Sequence, residues 1–279
     1  MKKIISILLV SFFTSNFSLN AQSIADYTIY YDFIFITDTV NNTFSSPEEF
    51  VLLRIGQESI FMTSARYYND SALTVFSKNY SEPDFKSQEE LQKYVNLVLE
   101  KVPTKAIRSD YRIIKNFKTS NITSVRMYSS VPIQYMEETM AFEWDFIEGI
   151  DTILGLPCMK ANTSYGGRHY YAWFTLDVPI NDGPYVFQGL PGLILKVVDD
   201  KGWYTFTAKN IITEKKKAMV KEWIDDKSQK IDRKTFVEKM IGYKRNPSMP
   251  TGVLNFPEEK RLERKSAFEK RFDLLIEQY

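Results

Sequence analysis

The stretch QGLPGLILKVVDDKGWYTF, residues 188–206, combines a proline–glycine turn with two apolar runs. Proline at 191 followed by glycine predicts a type II turn in which Gly192 takes the positive φ angle. Residues 193–198 and 203–208 are rich in branched and aromatic side chains, and a short turn-forming segment separates them. This arrangement is typical of a β-hairpin, so the stretch predicts antiparallel sheet.

Strand-forming residues dominate most of the chain before this hairpin. Residues 26–38 are rich in β-branched and aromatic side chains, and residues 50–55 and 59–63 predict a second hairpin. From residue 111 to residue 211, short apolar runs alternate with turn residues in a near-continuous series. The sequence therefore predicts an α+β protein with one curved antiparallel sheet, partly covered by helices, in a single compact domain.

Charged segments with apolar residues at helical spacing predict the helices. Ser87 is placed to cap a helix, with Glu90 three residues later completing a capping box. Residues 214–279 are expected to form a helical C-terminal part. Within that part, residues 214–230 have helical character, and Asp232 can cap a further helix through Phe236, Met240 and Ile241. We expect these helices to cover one face of the sheet.

The N-terminus has the pattern of an export signal. Residues 1–21 contain two lysines, an apolar core and a small residue, Ala21, which predicts a signal peptide cleaved before Gln22. The apolar run is shorter than the ~20 residues that span a bilayer. A lipid anchor needs a cysteine directly after the cleavage point. The only cysteine is Cys158, so no lipid anchor is expected. The mature domain would comprise residues 22–279, soluble in the periplasm or secreted.

The charge of the chain argues against polyanionic partners. Removal of residues 1–21, which contain two lysines and no acid, changes the formal net charge from +1 to −1. Nucleic acids and anionic membranes require a clustered basic surface, so neither is an expected partner. A single cysteine also excludes an internal disulfide.

Residues 144–211 carry a series of motifs with a specific order. The series begins at Trp144, continues through the Gly167-Arg168 and Ala172-Trp173-Phe174-Thr175 motifs, and ends with GLPGLIL at residues 189–195. This signature region resembles the GLPGLI family of exported Bacteroidota proteins. The resemblance implies export and an association with TonB-dependent outer-membrane transport systems, but it implies no known activity.

Two residue types restrict the chemistry. His169 is the only histidine, which excludes a zinc site with two histidine ligands. Cys158 and His169 could form the nucleophile and base of a hydrolase, and a serine could replace the cysteine. The alternative is that Cys158 is a buried small apolar residue and His169 a structural or rim residue of a strand. A Cu(I) site of Cys158, Met159 and His169 is disfavoured because adjacent strand residues point to opposite faces. No cofactor or metal is expected.

The long loop at residues 177–192 is the candidate binding site. Its prolines limit the freedom of the unfolded chain and its glycines allow close backbone approach, so the loop is expected to hold one conformation. The aromatic residues could line a groove for an envelope protein or peptide, or they could simply pack under the loop. The candidate binding residues are Trp173, Phe174, Tyr185, Phe187, Gly189, Leu190, Pro191 and Gly192.

These observations favour an exported binding or accessory protein that serves an outer-membrane process. Two alternatives stay open at this point. One is a cysteine- or serine-type hydrolase, a peptidase, that uses His169 as its base. The other is a structural component of the envelope.

Overall fold

The computed structural model describes residues 23–80, 87–107, 109, 111–128, 131–138, 142–218, 229–236 and 238. The expected signal peptide, and residues 239–279 of the expected helical C-terminal part, lie outside these residues. None of the helices in the described ranges is long and apolar enough to cross a membrane.

The described chain is built mostly of strands. The strands are β1 Ser23–Ala25, β2 Tyr27–Asp38, β3 Thr43–Phe44, β4 Glu48–Ile55, β5 Glu58–Thr63, β6 Tyr111–Asn116, β7 Asn121–Tyr128, β8 Val131–Glu138, β9 Asp145–Ile153, β10 Leu156–Tyr165, β11 Arg168–Thr175, β12 Leu193–Asp199, β13 Tyr204–Ile212, β14 Lys216–Ala218 and β15 Gln229–Lys230. The two longer helices are α1 Ser64–Asn79 and α2 Gln88–Lys101.

Two meanders that meet at β2 form a 13-stranded sheet. Its order is β15-β8-β7-β6-β5-β4-β2-β13-β12-β11-β10-β9, with β3 paired to β2 outside this path. Strands β4 to β8 run outward on one side of β2, and β9 to β13 return on the other side. All pairings are antiparallel except that of β15 with β8. The sheet is not closed, and the expected α+β fold with a single compact domain is confirmed.

The two faces of the sheet have different coverings. The inner face carries the main core, which includes Tyr31, Phe50, Phe61 and Phe206. Phe50 and Phe61 stack at a centroid distance of 4.9 Å. The outer face of β4 and β5 is covered by α1 and by the two-stranded ribbon of β1 and β14. Side chains alternate between the two faces along each strand, so neighbouring residues of one strand contribute to the two different layers.

The two helices pack on each other, and α1 also packs on the outer face of β4 and β5. Ser87 caps α2 as predicted, since its hydroxyl accepts a hydrogen bond from the backbone N–H of Glu90 at 3.2 Å. The sequence did not predict α1, which begins after Thr63 and is fixed to β6 by an ion pair between Asp70 and Arg112 at 2.9 Å. Because α1 buries charged side chains, its apolar stripe is short and its helical pattern is weak.

The prediction of a helix over residues 214–230 is wrong where the structure describes that segment. Residues 216–218 form β14, which pairs with β1 in antiparallel register. The pairing buries Ala218 beside Ala25 and Leu53, and this tertiary contact overrides the charged, helix-like composition. The helix after Asp232 is confirmed for residues 233–236, and the carboxylate of Asp232 accepts a hydrogen bond from the N–H of Thr235 at 2.9 Å.

Candidate functional site

Residues 176–192, which we call the crossing loop, connect β11 to β12 over the inner face. The loop is folded on itself: the N–H of Ile194 donates to the carbonyl of Asp182 at 2.9 Å, and the N–H of Leu193 donates to that of Val178 at 3.0 Å. Its larger apolar side chains belong to the main core. These side chains are Val178, Tyr185, Val186, Phe187 and Leu190. The loop therefore serves as the lid of the core.

Lys115 on β6 fixes the crossing loop to the far half of the sheet. Its ammonium donates to the carboxylate of Asp182 at 2.7 Å and to the carbonyls of Gly183 and Phe187 at 2.6 and 3.0 Å. The Lys115 side chain is 1% exposed and that of Asp182 is 0% exposed. An ammonium has three N–H donors, and all three are used here. The buried charge is thus both paired and hydrogen-bonded.

Arg54 on β4 provides a second cation beside the same carboxylate. Its Nη1 lies 3.6 Å from Oδ2 of Asp182, and its Nε donates to the carbonyl of Gly56 at 2.9 Å. The guanidinium also stacks over the ring of Phe117, 3.7 Å from its centroid. Arg54 and Lys115 flank Ser59 in one row across β4, β5 and β6. The two cations therefore reach the loop from two strands of the sheet.

Burial shifts the pKa values of the groups around this anchor. Burial lowers the pKa of Lys115, and the carboxylate of Asp182 opposes this effect. Burial also raises the pKa of Tyr31 well above its ordinary value, and Asp182 adds to that rise. The hydroxyl of Tyr31 donates to the carbonyl of Ile194 at 2.8 Å. These groups are enclosed and matched, so their role is to hold the loop in place.

Trp144 holds the other end of the crossing loop. Its indole N–H donates to the carbonyl of Gln188 at 2.9 Å. The next residue, Gly189, has a φ of +93°, which an L side chain rarely adopts. Trp144, which opens the signature region in the sequence, is therefore a contact of the loop.

The prediction that Gly192 takes a positive φ is wrong. The positive φ belongs to Gly189, and Gly192 is required for a different reason. A Cβ atom on Gly192 would lie 2.0 Å from the carbonyl oxygen of Thr175. Gly183 is also closely packed, since a Cβ there would lie 2.7 Å from the Cβ of Ile194. Close approach of two backbones, not turn geometry, explains glycine at 192.

The structure separates the candidate binding residues into three groups. Phe174, Tyr185, Phe187, Leu190 and Gly192 are buried, so they pack under the loop. Gly189 and Pro191 are exposed on the loop surface. Trp173 alternates along β11 with the buried Tyr170 and Ala172, and it is partly buried against the main core.

The two candidate catalytic residues are far apart. Cys158 is buried in the core and its pKa is raised by that burial, both of which oppose thiolate chemistry. His169 is directly opposite Ser164 on β10, six positions from Cys158. At ~3.3 Å per residue, the separation is ~20 Å. The partner of His169 is instead Ser164: Nδ1 of His169 lies 3.3 Å from Oγ of Ser164.

No group of three or more His, Cys, Asp or Glu side chains that could hold a metal ion occurs among the residues that the structure describes. The adjacent acids Asp199 and Asp200, at the end of β12, differ in burial, and Asp200 is exposed. Asp199 is buried and pairs with Arg168 at 3.2 Å. Burial raises the pKa of Asp199, while the N–H of Tyr204 and the charge of Arg168 oppose this effect.

The outer face of β10, β11 and β12 carries a row of cations around an aromatic ring. Lys160, Trp173 and Lys196 are directly opposite one another on the three strands. The Nζ atoms of Lys160 and Lys196 lie 5.1 and 4.7 Å from the centroid of Trp173. Lys160 also lies 4.6 Å from the ring of Tyr171. Among the described residues, neither lysine has a carboxylate within ion-pair distance. We call Lys160, Tyr171, Trp173 and Lys196 the cation–aromatic row.

Comparisons with known proteins give one family match, to the middle of the chain, and several matches to solved structures. A family described as "Protein of unknown function (Porph_ging)" matches residues 104–196, about a third of the chain. That match includes Lys115, Trp144 and the whole crossing loop. It does not confirm the GLPGLI name. No curated protein matches the chain.

Solved structures of PNGF-II are among those that match part of the chain. "Structure of PNGF-II in P21 space group" is 16% identical, with a TM-score of 0.50, and the alignment covers 78% of this chain and 33% of that chain. "Structure of PNGF-II in C2 space group" is 16% identical, with a TM-score of 0.49, and the alignment covers 78% of this chain and 32% of that chain. The chain thus spans about a third of the length of these structures. At this identity the likeness concerns the fold alone.

Sequence reasoning missed Lys115, Arg54 and the cation–aromatic row. The available signal for Lys115 was its place in the strand YRIIKN, two residues after Ile113 and therefore on the same face. The row had no signal, because Lys160, Trp173 and Lys196 are distant in sequence and meet only through strand register.

Proposed function

We propose that the protein is an exported, non-enzymatic binding or accessory protein that serves an outer-membrane process such as uptake. The cation–aromatic row is its binding surface. The observation that carries this proposal is the Lys160–Trp173–Lys196 row on the outer face of the sheet. Tryptophan offers a large rigid contact area at low entropic cost, and it is the residue most enriched at binding hot spots.

The charges of the row favour a ligand with both anionic and apolar groups. Two ammonium groups beside one indole are held by cation–π contacts, and a bound anion would relieve their mutual repulsion. Helix α1 packs on β4 and β5, and not on the strands β10, β11 and β12 that carry the row. The buried anchor of Lys115 and Asp182 supports the row indirectly, since it fixes the loop that joins β11 to β12.

The row is tested by Trp173→Ala in complementation of a deletion strain. Loss of the indole removes the centre of the surface, so we expect loss of complementation. Because the indole also packs against the main core, we expect the free energy of unfolding to fall by about 1–3 kcal/mol, and thermal melting checks that the variant is still folded. His169→Asn and Cys158→Ser are the controls, and both are expected to complement. Tyr185→Ala is a poor test because Tyr185 is buried.

A hydrolase is the second candidate, because Ser164 and His169 are within 3.3 Å of each other. Loss of a catalytic base costs about 10²-fold or more in rate. If His169→Asn abolishes complementation in a protein that melts normally, the binding proposal fails and the hydrolase replaces it.

The proposed location is the periplasm or the exterior. The mature chain is expected to begin near Gln22 and to fractionate with soluble envelope proteins, because the apolar segment of the leader is short and no cysteine follows it. N-terminal sequencing of the purified protein checks the cleavage. Recovery of intact Met1, or retention in membranes after a carbonate wash, would contradict the proposed export.

A further inference from the structure

Among the described residues, the outer edge of β9 pairs with no other strand, and several apolar side chains along it are exposed. β9 is the last strand of the sheet order. Phe146 and Ile150 on β9 are 60% and 81% exposed, and Met159 on β10, directly opposite Ile150, is 42% exposed. Leu154, in the turn between the two strands, is 46% exposed. We call these four residues the edge patch. Apolar surface of this kind commonly marks an interaction site.

Leu154 occupies a backbone conformation that disfavours its side chain. It has a φ of +54° and is followed by Gly155 with a φ of +78°. Two successive positive φ angles form the tight turn that asparagine followed by glycine adopts most readily. A leucine in this conformation costs about 1 kcal/mol or more. The chain therefore keeps a bulky apolar residue, half-exposed, at a position where a small polar residue would be more stable.

The charge of β9 indicates which kind of partner fits. Asp145, Glu148 and Asp151 are all exposed, and the strand has no lysine or arginine. A second copy paired through the same edge would bring its own Asp145, Glu148 and Asp151 against this acidic strand. Like charges brought together across strands are destabilising, so self-pairing is disfavoured.

Part of the edge is regular enough to pair with another strand. The register shift in β9 falls around Glu148 and Gly149, and residues 150–153 pair with residues 156–159 without interruption. An extended segment added there would gain main-chain hydrogen bonds, and its alternate side chains would contact the edge patch.

From these observations we infer that the edge of β9 docks an extended segment of another protein, in which apolar side chains alternate with lysine or arginine. The apolar side chains pack on Ile150, Met159 and Leu154, and the cations face Asp151 and Glu148. This surface is separate from the cation–aromatic row, and its test does not depend on Trp173.

The test uses a labelled hexapeptide that alternates lysine and isoleucine, with purified protein and fluorescence anisotropy. We expect saturable binding that weakens with added salt, and no binding of the counterpart with glutamate in place of lysine. Ile150→Ser is expected to weaken binding at least ~10-fold, as for loss of a hot-spot contact. Leu99→Ser is the matched control, because Leu99 is a similarly exposed apolar residue on α2, at 57%. An affinity that Ile150→Ser leaves unchanged, or equal affinities for the lysine and glutamate peptides, would overturn the inference.

Leu154→Asn gives a second readout with effects of opposite sign. Asparagine suits the positive φ, so we expect a higher melting temperature than wild type together with weaker peptide binding. A melting temperature that rises while affinity stays unchanged would show that Leu154 has no binding role. Sedimentation analysis completes the test: a dimer that Ile150→Ser dissociates would assign the edge to a second copy instead.

Discussion

Gly192→Ala is expected to lower the free energy of unfolding by about 3 kcal/mol or more, at or above the upper end of the usual cost of overpacking. The added methyl would lie 2.0 Å from the carbonyl oxygen of Thr175 and 2.7 Å from its carbonyl carbon. Both are backbone atoms, so no side-chain rotation can relieve the contact. The end of β11 and the start of β12 must therefore separate. That movement would also disturb the hydrogen bond between Leu193 and Val178.

Gly202→Ala is the matched control for this prediction. Gly202 lies in the hairpin turn after β12 and has a φ of +67°, and a methyl group added there would meet no atom within 4 Å beyond its chain neighbours. Alanine there meets only backbone strain, about 1 kcal/mol. Urea unfolding of the two variants beside wild type separates close approach from strain. Equal losses for Gly192→Ala and Gly202→Ala would show that the contact with Thr175 is relieved at little cost.

Local signals predicted the elements that local interactions determine. The hairpin of β12 and β13, with Gly202 in its turn, follows from alternating apolar residues and a turn-forming segment. α2 follows from a serine cap and apolar residues at helical spacing, and its Tyr94 and Val98 pack against Phe76 of α1. Within such elements the sequence period and the burial pattern describe the same contacts.

The arrangement of these elements depends on contacts that are distant in sequence. The chain passes from β8 at one side of the sheet to β9 at the other, and no local pattern indicates that step. Residues 216–218 have helical composition but pair with β1, almost two hundred residues earlier in the chain. Strand pairing over such distances depends on register and core fit, which composition does not record.

The candidate site shows the same division. The sequence predicted a loop that holds one conformation, and it left open whether Trp173, Tyr185 and Phe187 line a groove or pack under the loop. The structure buries the latter two rings in the core, whereas Trp173 is only partly buried against it and lies between Lys160 and Lys196. The lysines that surround Trp173 come from the two neighbouring strands. A binding surface on a sheet is made by cross-strand neighbours, so it becomes visible only when strand order is known.

Lys115→Met is expected to lower the free energy of unfolding by about 3–5 kcal/mol, the usual cost of leaving one buried charge unpaired. Methionine keeps the length and the apolar stem of lysine, so the change isolates the ammonium. Without it, the carboxylate of Asp182 and the carbonyls of Gly183 and Phe187 lose a donor in a region that water does not reach. Arg54, at 3.6 Å, stays as a weaker counter-charge. We expect the crossing loop to become the first part of the fold to open.

Two further variants distinguish this reason from a general effect of removing a lysine. Lys118→Met, at an exposed position in the turn after the same strand, should change the free energy of unfolding by less than about 0.5 kcal/mol. The double variant Lys115→Met, Asp182→Leu should lose less free energy of unfolding than the two single variants lose together. The reason is that the double variant leaves no unpaired carboxylate. Urea unfolding measures all four proteins, and hydrogen exchange of Gly189 and Ile194 amides reports the loop itself. If the two single losses simply add, Lys115 and Asp182 do not act as a pair, and the crossing loop is held by its apolar side chains alone.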